Sequence, residues 1–304
     1  GTIRKLNGLE RNQQPGVGEV IRLPDRPGRV TDLPAAVSAL AGSGTARIGD
    51  APAVALTLGM AVPTGTEVCL AEGSYATLRL AYDPKTMRHD DVVLMPETCL
   101  TVTSSSGGGG ARASIVSVHR GSVSIRVTQE PGAVTVLTPA GVITPAGVTS
   151  GERGGFRVTI EEEASRTEAL EEEVVVIGAG EQVVLEAGYG ARVRKGEAPS
   201  EPVRLLPPGS PVLPEAGHLL RRPEFVWTPV ERALGYQVEF ASIEDFTELV
   251  YVEEVAEVEW DPDVLFMPFR IPGLWWRVSA FDRTGFVGFP SESRFLSIPP
   301  EIGP

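Results

Sequence analysis

The sequence predicts an all-β protein built from two β-domains joined by a proline-rich segment. Three observations carry that prediction. Short runs with period-two alternation recur between Thr45 and Arg194. The chain's 34 glycines and 26 prolines interrupt it at close intervals, which suits strands and turns better than long helices. A second group of short, aromatic-rich runs fills residues 224–298. A chain of 304 residues has room for two such domains.

Residues 1–24 begin with Ile3, Leu6 and Leu9 at helical spacing, followed by the turn Pro15–Glu19 and the strand-like Val20–Pro24. Residues 25–44, rich in Pro, Ala, Gly and Ser, read as a linker. Residues 45–197 read as the first β-domain, a sandwich, roll or β-solenoid. Within it, Ala76, Leu78 and Leu80 alternate with Tyr75, Thr77 and Arg79, the pattern of a half-buried strand. Val116 and Val118 alternate before Gly121, and Val123, Ile125 and Val127 after it. Further strands are expected at Val134–Leu137, Phe156–Ile160, Glu173–Ile177, Gln182–Leu185 and Ala191–Arg194. Ser104–Gly110 reads as a loop, because no Lys-Ser/Thr pair follows it to make a phosphate cradle.

Residues 198–223 hold prolines 199, 202, 207, 208, 211, 214 and 223 and read as a semi-rigid connector. The second β-domain, residues 224–298, has as core candidates Phe225, Trp227, Tyr236, Val238, Phe240, Phe246, Trp260, Phe269, Trp275, Val278, Phe281 and Phe295. Their spacing suits a small antiparallel sandwich. Residues 299–304 form a tail.

The balance of 27 basic and 40 acidic residues gives a formal charge of −13. Nucleic acid is therefore not an expected partner, since neutralising phosphates takes clustered Lys and Arg. No apolar run reaches the roughly 20 residues that span a bilayer. The three histidines, His89, His119 and His218, have no spacing that links them to each other or to a cysteine. His89 reads as part of the charged loop Lys85–Asp91. The runs Glu161–Glu163 and Glu171–Glu173 read as solvated edges, and Asp261-Pro262-Asp263 as a turn. No catalytic, metal or cofactor residue is assigned, and no enzyme activity is expected.

Cys69 and Cys99 each lie in a strand-like segment. In an oxidising compartment they can pair, closing a loop worth roughly 3–4 kcal/mol; otherwise they are two buried thiols. Trp275 and Trp276 are adjacent, so on a strand one points to the core and the other outward. The outward ring is a candidate contact for a sugar or protein partner.

Three segments resemble known modules. Ile3-Arg4-Lys5-Leu6-Asn7-Gly8-Leu9, then Gly16-Val17-Gly18-Glu19 and Ile21-Arg22-Leu23-Pro24, resemble the second half of a LysM module. That likeness implies binding to peptidoglycan or a related glycan, with Asn7 as a candidate contact. The module's first strand, first helix and groove-forming turn have no counterpart in residues 1–24, and the full sugar groove needs them.

Residues 45–197 resemble the FecR domain of exported bacterial proteins. The matching pieces are Gly65–Val68, Gly73–Leu80, Val93–Thr98, His119–Val123, Thr138–Gly141 and Val183–Gly188. Residues 224–298 resemble a fibronectin type III sandwich through Trp227–Val230, Ala233–Val238 and Trp276–Asp282 with Gly285. Together the resemblances imply an exported scaffold of the bacterial envelope, in the periplasm or at the cell surface. It would bind other proteins, or self-associate into a surface assembly or fibre.

Overall fold

The architecture follows from strands that change sheet as the chain advances. A computed structural model describes residues 35–80, 89–106, 112–127, 134–147, 154–217, 224–262 and 273–297. All regular elements in those residues are strands. In the first domain they form two sheets of nine, with one strand shared.

One sheet runs Ala61–Val62, Ala35–Ala41, Tyr75–Leu80, Asp90–Leu94, the second half of Arg112–Val127, Gly154–Ile160, Ala164–Ala169, Tyr189–Arg194 and Val203–Arg204. The other runs Val54–Ala55, Gly44–Ile48, Thr66–Leu70, Cys99–Ser106, the first half of Arg112–Val127, Val134–Leu137, Val142–Gly147, Glu173–Gly178 and Glu181–Leu185. All pairings are antiparallel except that of Val134–Leu137 with Arg112–Val127. Below, these are the docking sheet and the back sheet.

The shared strand turns from one sheet into the other at Gly121. There φ is +84°, and a Cβ would sit 2.4 Å from Thr98 Oγ1 and 2.6 Å from Thr98 Cα. Only glycine satisfies both the left-handed backbone and the close approach. Thr98 Oγ1 fastens the corner, donating to the Ser122 carbonyl (3.0 Å) and accepting from the Ser122 amide (3.1 Å).

Between the sheets lies a core of Val, Leu, Ile and Ala in which Phe156 is the one fully buried aromatic among the described residues. Leu78, Leu80, Val123 and Ile125 enter it from the docking sheet, and Leu100, Val116, Val118 and Val136 from the back sheet. Of these, Leu78, Leu80, Val116, Val118, Val123 and Ile125 are positions that the alternating pattern singles out. The disulfide joins Cys69 and Cys99 at directly opposed positions of neighbouring back-sheet strands.

The second domain is a smaller sandwich. Gly235–Ala241 and Gly273–Phe281 pair at its centre; Leu249–Val255 flanks the former, and Val287–Pro290 and Arg294–Ser297 flank the latter. A three-stranded sheet of Pro211–Leu213, Phe225–Trp227 and Glu259–Trp260 covers one face. Phe225 makes edge contacts with Phe240 (5.2 Å between centroids) and Trp276 (5.0 Å), and Trp227 meets Tyr236 at 5.4 Å.

Three expectations need correction. The linker drawn over 25–44 ends too late, since Ala35–Ala41 pairs along Tyr75–Leu80 and buries Ala35 and Val37 in the core. Small residues look like linker in sequence, yet they suit a strand packed under its neighbours. The connector over 198–223 is not a free spacer. Val203–Arg204 pairs with the first domain, Pro211–Leu213 pairs with the second, and Leu206 is buried in the second core. Arg294 donates to the carbonyls of Pro211 (2.5 Å), Val212 (2.9 Å) and Pro214 (3.0 Å), gripping the proline-rich backbone that has few amides of its own. Lastly, Asp90 and Asp91 are buried strand residues and do not belong to a charged loop. Phe269, residues 1–34 with their Leu/Ile helical pattern, and the tail lie outside the described residues.

Candidate functional site

On the docking sheet, a set of residues that alternation points away from the first core is shielded from solvent. They belong to the outer face of that sheet, and the second domain lies on it. Register places Thr77 beside Val93, Val93 beside Ser124, Ser124 beside Arg157 and Arg157 beside Glu168. The opposing face of the second domain carries Gln237, Glu239, Ala241, Trp275, Arg277 and Ser279, by the same alternation. Thr77, Asp91, Arg157, Glu168, Gln237, Glu239 and Ser279 are all buried.

An apolar cluster seals one side of this junction. Tyr75, Val93 and Met95 pack against Ala241, Phe246 and Leu249. The Tyr75 hydroxyl accepts from the Val252 amide (2.9 Å), and Thr77 Oγ1 donates to the Thr247 carbonyl. Burial raises the Tyr75 hydroxyl's pKa, with the carboxylates of Glu253 and Glu239 adding to the effect against the bond from Val252.

Ion pairs fill the rest. Glu239 is 1% exposed and accepts from Arg277 Nε at 2.5 Å, with Arg157 Nη2 at 3.6 Å. Burial alone would raise this carboxyl, but Arg277, Arg157 and Arg126 outweigh it and hold it below its ordinary pKa. The Arg277 guanidinium lies 4.0 Å from the ring centre of Phe246. At the other side, Glu168 accepts from Arg166 Nε (2.7 Å) and from the Val287 amide (3.4 Å). Arg166 and Arg192 share Glu161, both approach the Phe286 ring, and Arg192 also donates to the Thr284 carbonyl (2.7 Å).

Among the described residues, hollows lie between the domains. One, of about 180 Å³, is lined by Arg126, Arg157, Arg277, Glu171, Glu239 and a set of apolar side chains that includes Phe246 and Phe289. Another, a more open groove of about 440 Å³, is lined by residues that include Tyr75, Ser122, Arg157, Arg166, Gln237 and Glu254. Arg157 borders both.

The residues singled out in the sequence are placed differently. Cys69 and Cys99 are bonded to each other. Trp276 is in the second core, while Trp275 is half-buried, packed on Phe295 (5.3 Å) and against the apolar seal. The outward ring therefore faces the first domain, which occupies much of the surface that a separate partner would use. Asn7 lies outside the described residues.

His89 pairs with Asp91 at 3.3 Å, and exposed His119 bonds Thr101 at 2.8 Å. The acidic runs are not uniformly solvated. Glu161 is held by two arginines, and Glu172 is buried, its pKa pushed up to about 7 by burial and by the neighbouring Glu171 and Asp90. Among the described residues no three His, Cys, Asp or Glu side chains group as a metal site. No helix there is long and apolar enough to cross a membrane. The arginine–carboxylate junction is what sequence reading missed. Its only trace was charged residues at outward strand positions, the same pattern that a solvent face gives.

The sequence matches no family model and no curated protein. Among solved structures it is similar to two crystal structures of a proposed anti-sigma factor from Parabacteroides distasonis, at 16% identity and TM-scores of 0.33 and 0.32. The similarity covers 45% of this chain, which spans 58% of the length of those structures.

Proposed function

We propose that this chain is a non-enzymatic, exported scaffold of the bacterial cell envelope. Its FecR-like and fibronectin-like domains act as one rigid body, and its LysM-derived first 24 residues hold it near peptidoglycan. The observation that carries this reading is the junction. Much of the middle of one sheet face, with its arginines, carboxylates and apolar seal, is used in joining the domains. Such a joint fixes the spacing and orientation of whatever the two domains contact. The Cys69–Cys99 bond supports an oxidising location.

Purified peptidoglycan sedimented with the full chain, and with a form lacking residues 1–30, tests the tether. The full chain is expected in the pellet and the shortened form in the supernatant. Equal retention of both would refute the tether.

A second reading, a self-associating subunit of a surface assembly, is favoured by the two ends of the back sheet. At one end Val54–Ala55 has Gly44–Ile48 as its sole strand neighbour among the described residues, with Ile48, Val54 and Leu58 exposed beside it. At the other end Glu181–Leu185 pairs with Glu173–Gly178 alone among them, with Val184 exposed. Unlike edges at opposite ends of one sheet allow head-to-tail pairing, which does not close into a ring unless the rotation permits. Light scattering at rising concentration decides: a constant monomer mass rules this reading out.

A further inference from the structure

We infer that the smaller hollow between the domains is a binding site for a carboxylate group carried on a short apolar body. This goes beyond the scaffold reading and stands or falls separately from it.

The first ground is an unmet cation. Arg157 is 3% exposed, and its one ionic contact among the described residues is through Nη2 with Glu239 at 3.6 Å. Its Nε and Nη1 have no acceptor among the described residues. A guanidinium keeps its proton at every pH a protein survives, so it cannot relieve this by neutralising. Buried donors without acceptors are costly, and an anion that supplies acceptors recovers that cost on binding.

The second ground is the charge of the walls. Arg126, Arg157 and Arg277 face Glu171 and Glu239, so three positive groups line the hollow against two negative ones. Around Glu239, Arg157 and Arg277 are two cations that share one carboxylate, and a second carboxylate supplies the acceptors that Arg157 lacks. The chain as a whole is at −13, but exposed charges beyond about 10 Å are screened by salt, whereas groups buried in the junction are screened far less.

Size and lining give the rest of the ligand. The remaining wall includes Val93, Phe156, Phe246, Leu249 and Phe289. About 180 Å³ is on the scale of the roughly 150 Å³ cavity known to hold benzene. A six- to nine-carbon acid fits that description. So does the last residue of a protein chain ending in an apolar side chain and its free terminal carboxylate.

Thermal unfolding of the full chain at fixed pH and ionic strength tests the site. The free-acid arm compares phenylacetate with phenylacetamide. The chain-end arm compares a short peptide ending in Phe as the free acid with its C-terminal amide. Each acid is expected to raise Tm saturably, by about 5 °C at a hundredfold excess over Kd, and each amide to leave it unchanged. An effect of the small acid alone makes the ligand a metabolite-sized acid, and an effect of the peptide alone makes it a chain terminus. Amides that match their acids, or acids no better than sodium chloride of equal strength, overturn the proposal. Arg157→Lys keeps the charge and removes the guanidinium, and is expected to weaken the acid at least tenfold; unchanged affinity also overturns it. If that variant does not fold, the acid–amide comparison on the unaltered chain decides alone.

Discussion

Replacing Glu239 with glutamine leaves the junction's shape intact and removes the negative charge that Arg277 and Arg157 share. The expected cost follows from the geometry. Glu239 accepts a short charge-assisted bond from Arg277 (2.5 Å) and a longer ionic contact from Arg157 (3.6 Å), both in a buried setting. Bonds of the first kind contribute about 1.5–3 kcal/mol. Stranding a buried partner raises the total loss to about 3–5 kcal/mol. The glutamine amide can still accept one bond, so the lower half of that range is expected. Urea unfolding followed by tryptophan fluorescence reports the second domain, where Trp227 and Trp276 are buried, and circular dichroism followed in parallel reports the strands of both domains. The unaltered chain should unfold in one coupled transition, and the variant should separate into two with the second domain melting first.

The same residue sets a pH dependence. Its pKa is lowered on folding, so its contribution is fully present above the unfolded value, about 4.3, and is lost as pH falls from there through the folded value. The glutamine variant should lack that acid-side loss. A variant with the original midpoint, a single transition and an unchanged acid limb would refute the claim that these ion pairs join the domains.

Other perturbations have equally definite outcomes. Gly121→Ala should destabilise the first domain by about 2–4 kcal/mol in denaturant titrations, because it combines a disfavoured φ with a clash at Thr98. Replacing both Cys69 and Cys99 with serine should cost roughly 3 kcal/mol and make stability indifferent to reductant, and intact-mass analysis of the original chain should show the loss of two hydrogens. Glu172 behaves oppositely to Glu239. Its folded pKa is raised to about 7, so its own contribution to stability is greatest below about pH 4.3 and falls as pH rises from there to about 7. Glu172→Gln should therefore add about 1–2 kcal/mol at pH 8 and flatten that slope. A flat profile in the original chain would contradict its buried placement.

What the sequence made legible was each strand's inward half. Leu78, Val123, Ile125, Val238 and Phe240 were readable as core because apolar side chains at period two have one physical explanation. Their outward neighbours were not. Thr77, Arg157, Glu168 and Glu239 are polar, and polarity at alternate positions describes a wet face and a buried ionic joint equally well. Only the docking of one sheet on another tells these apart, and that contact joins residues as distant as Thr77 and Thr247. The pair Trp275-Trp276 shows the same limit. Alternation correctly assigned opposite faces to the two rings, but it could not show that the outward face was already partly covered. Ala35–Ala41 failed differently, because small residues carry too little hydrophobic contrast to register as a strand.

The Cys69–Cys99 bond sits in the back sheet, yet the stretch it closes includes Tyr75–Leu80 and Asp90–Leu94, two adjoining strands of the docking sheet. Tyr75, Thr77, Val93 and Met95, which seat the second domain, are thus threaded on a covalent ring. A protease that severs the backbone once anywhere inside that ring releases no fragment. The nicked molecule keeps its mass on a non-reducing gel, and every piece of the second domain's seat stays covalently attached, through Cys69 or Cys99, to the sheet behind it.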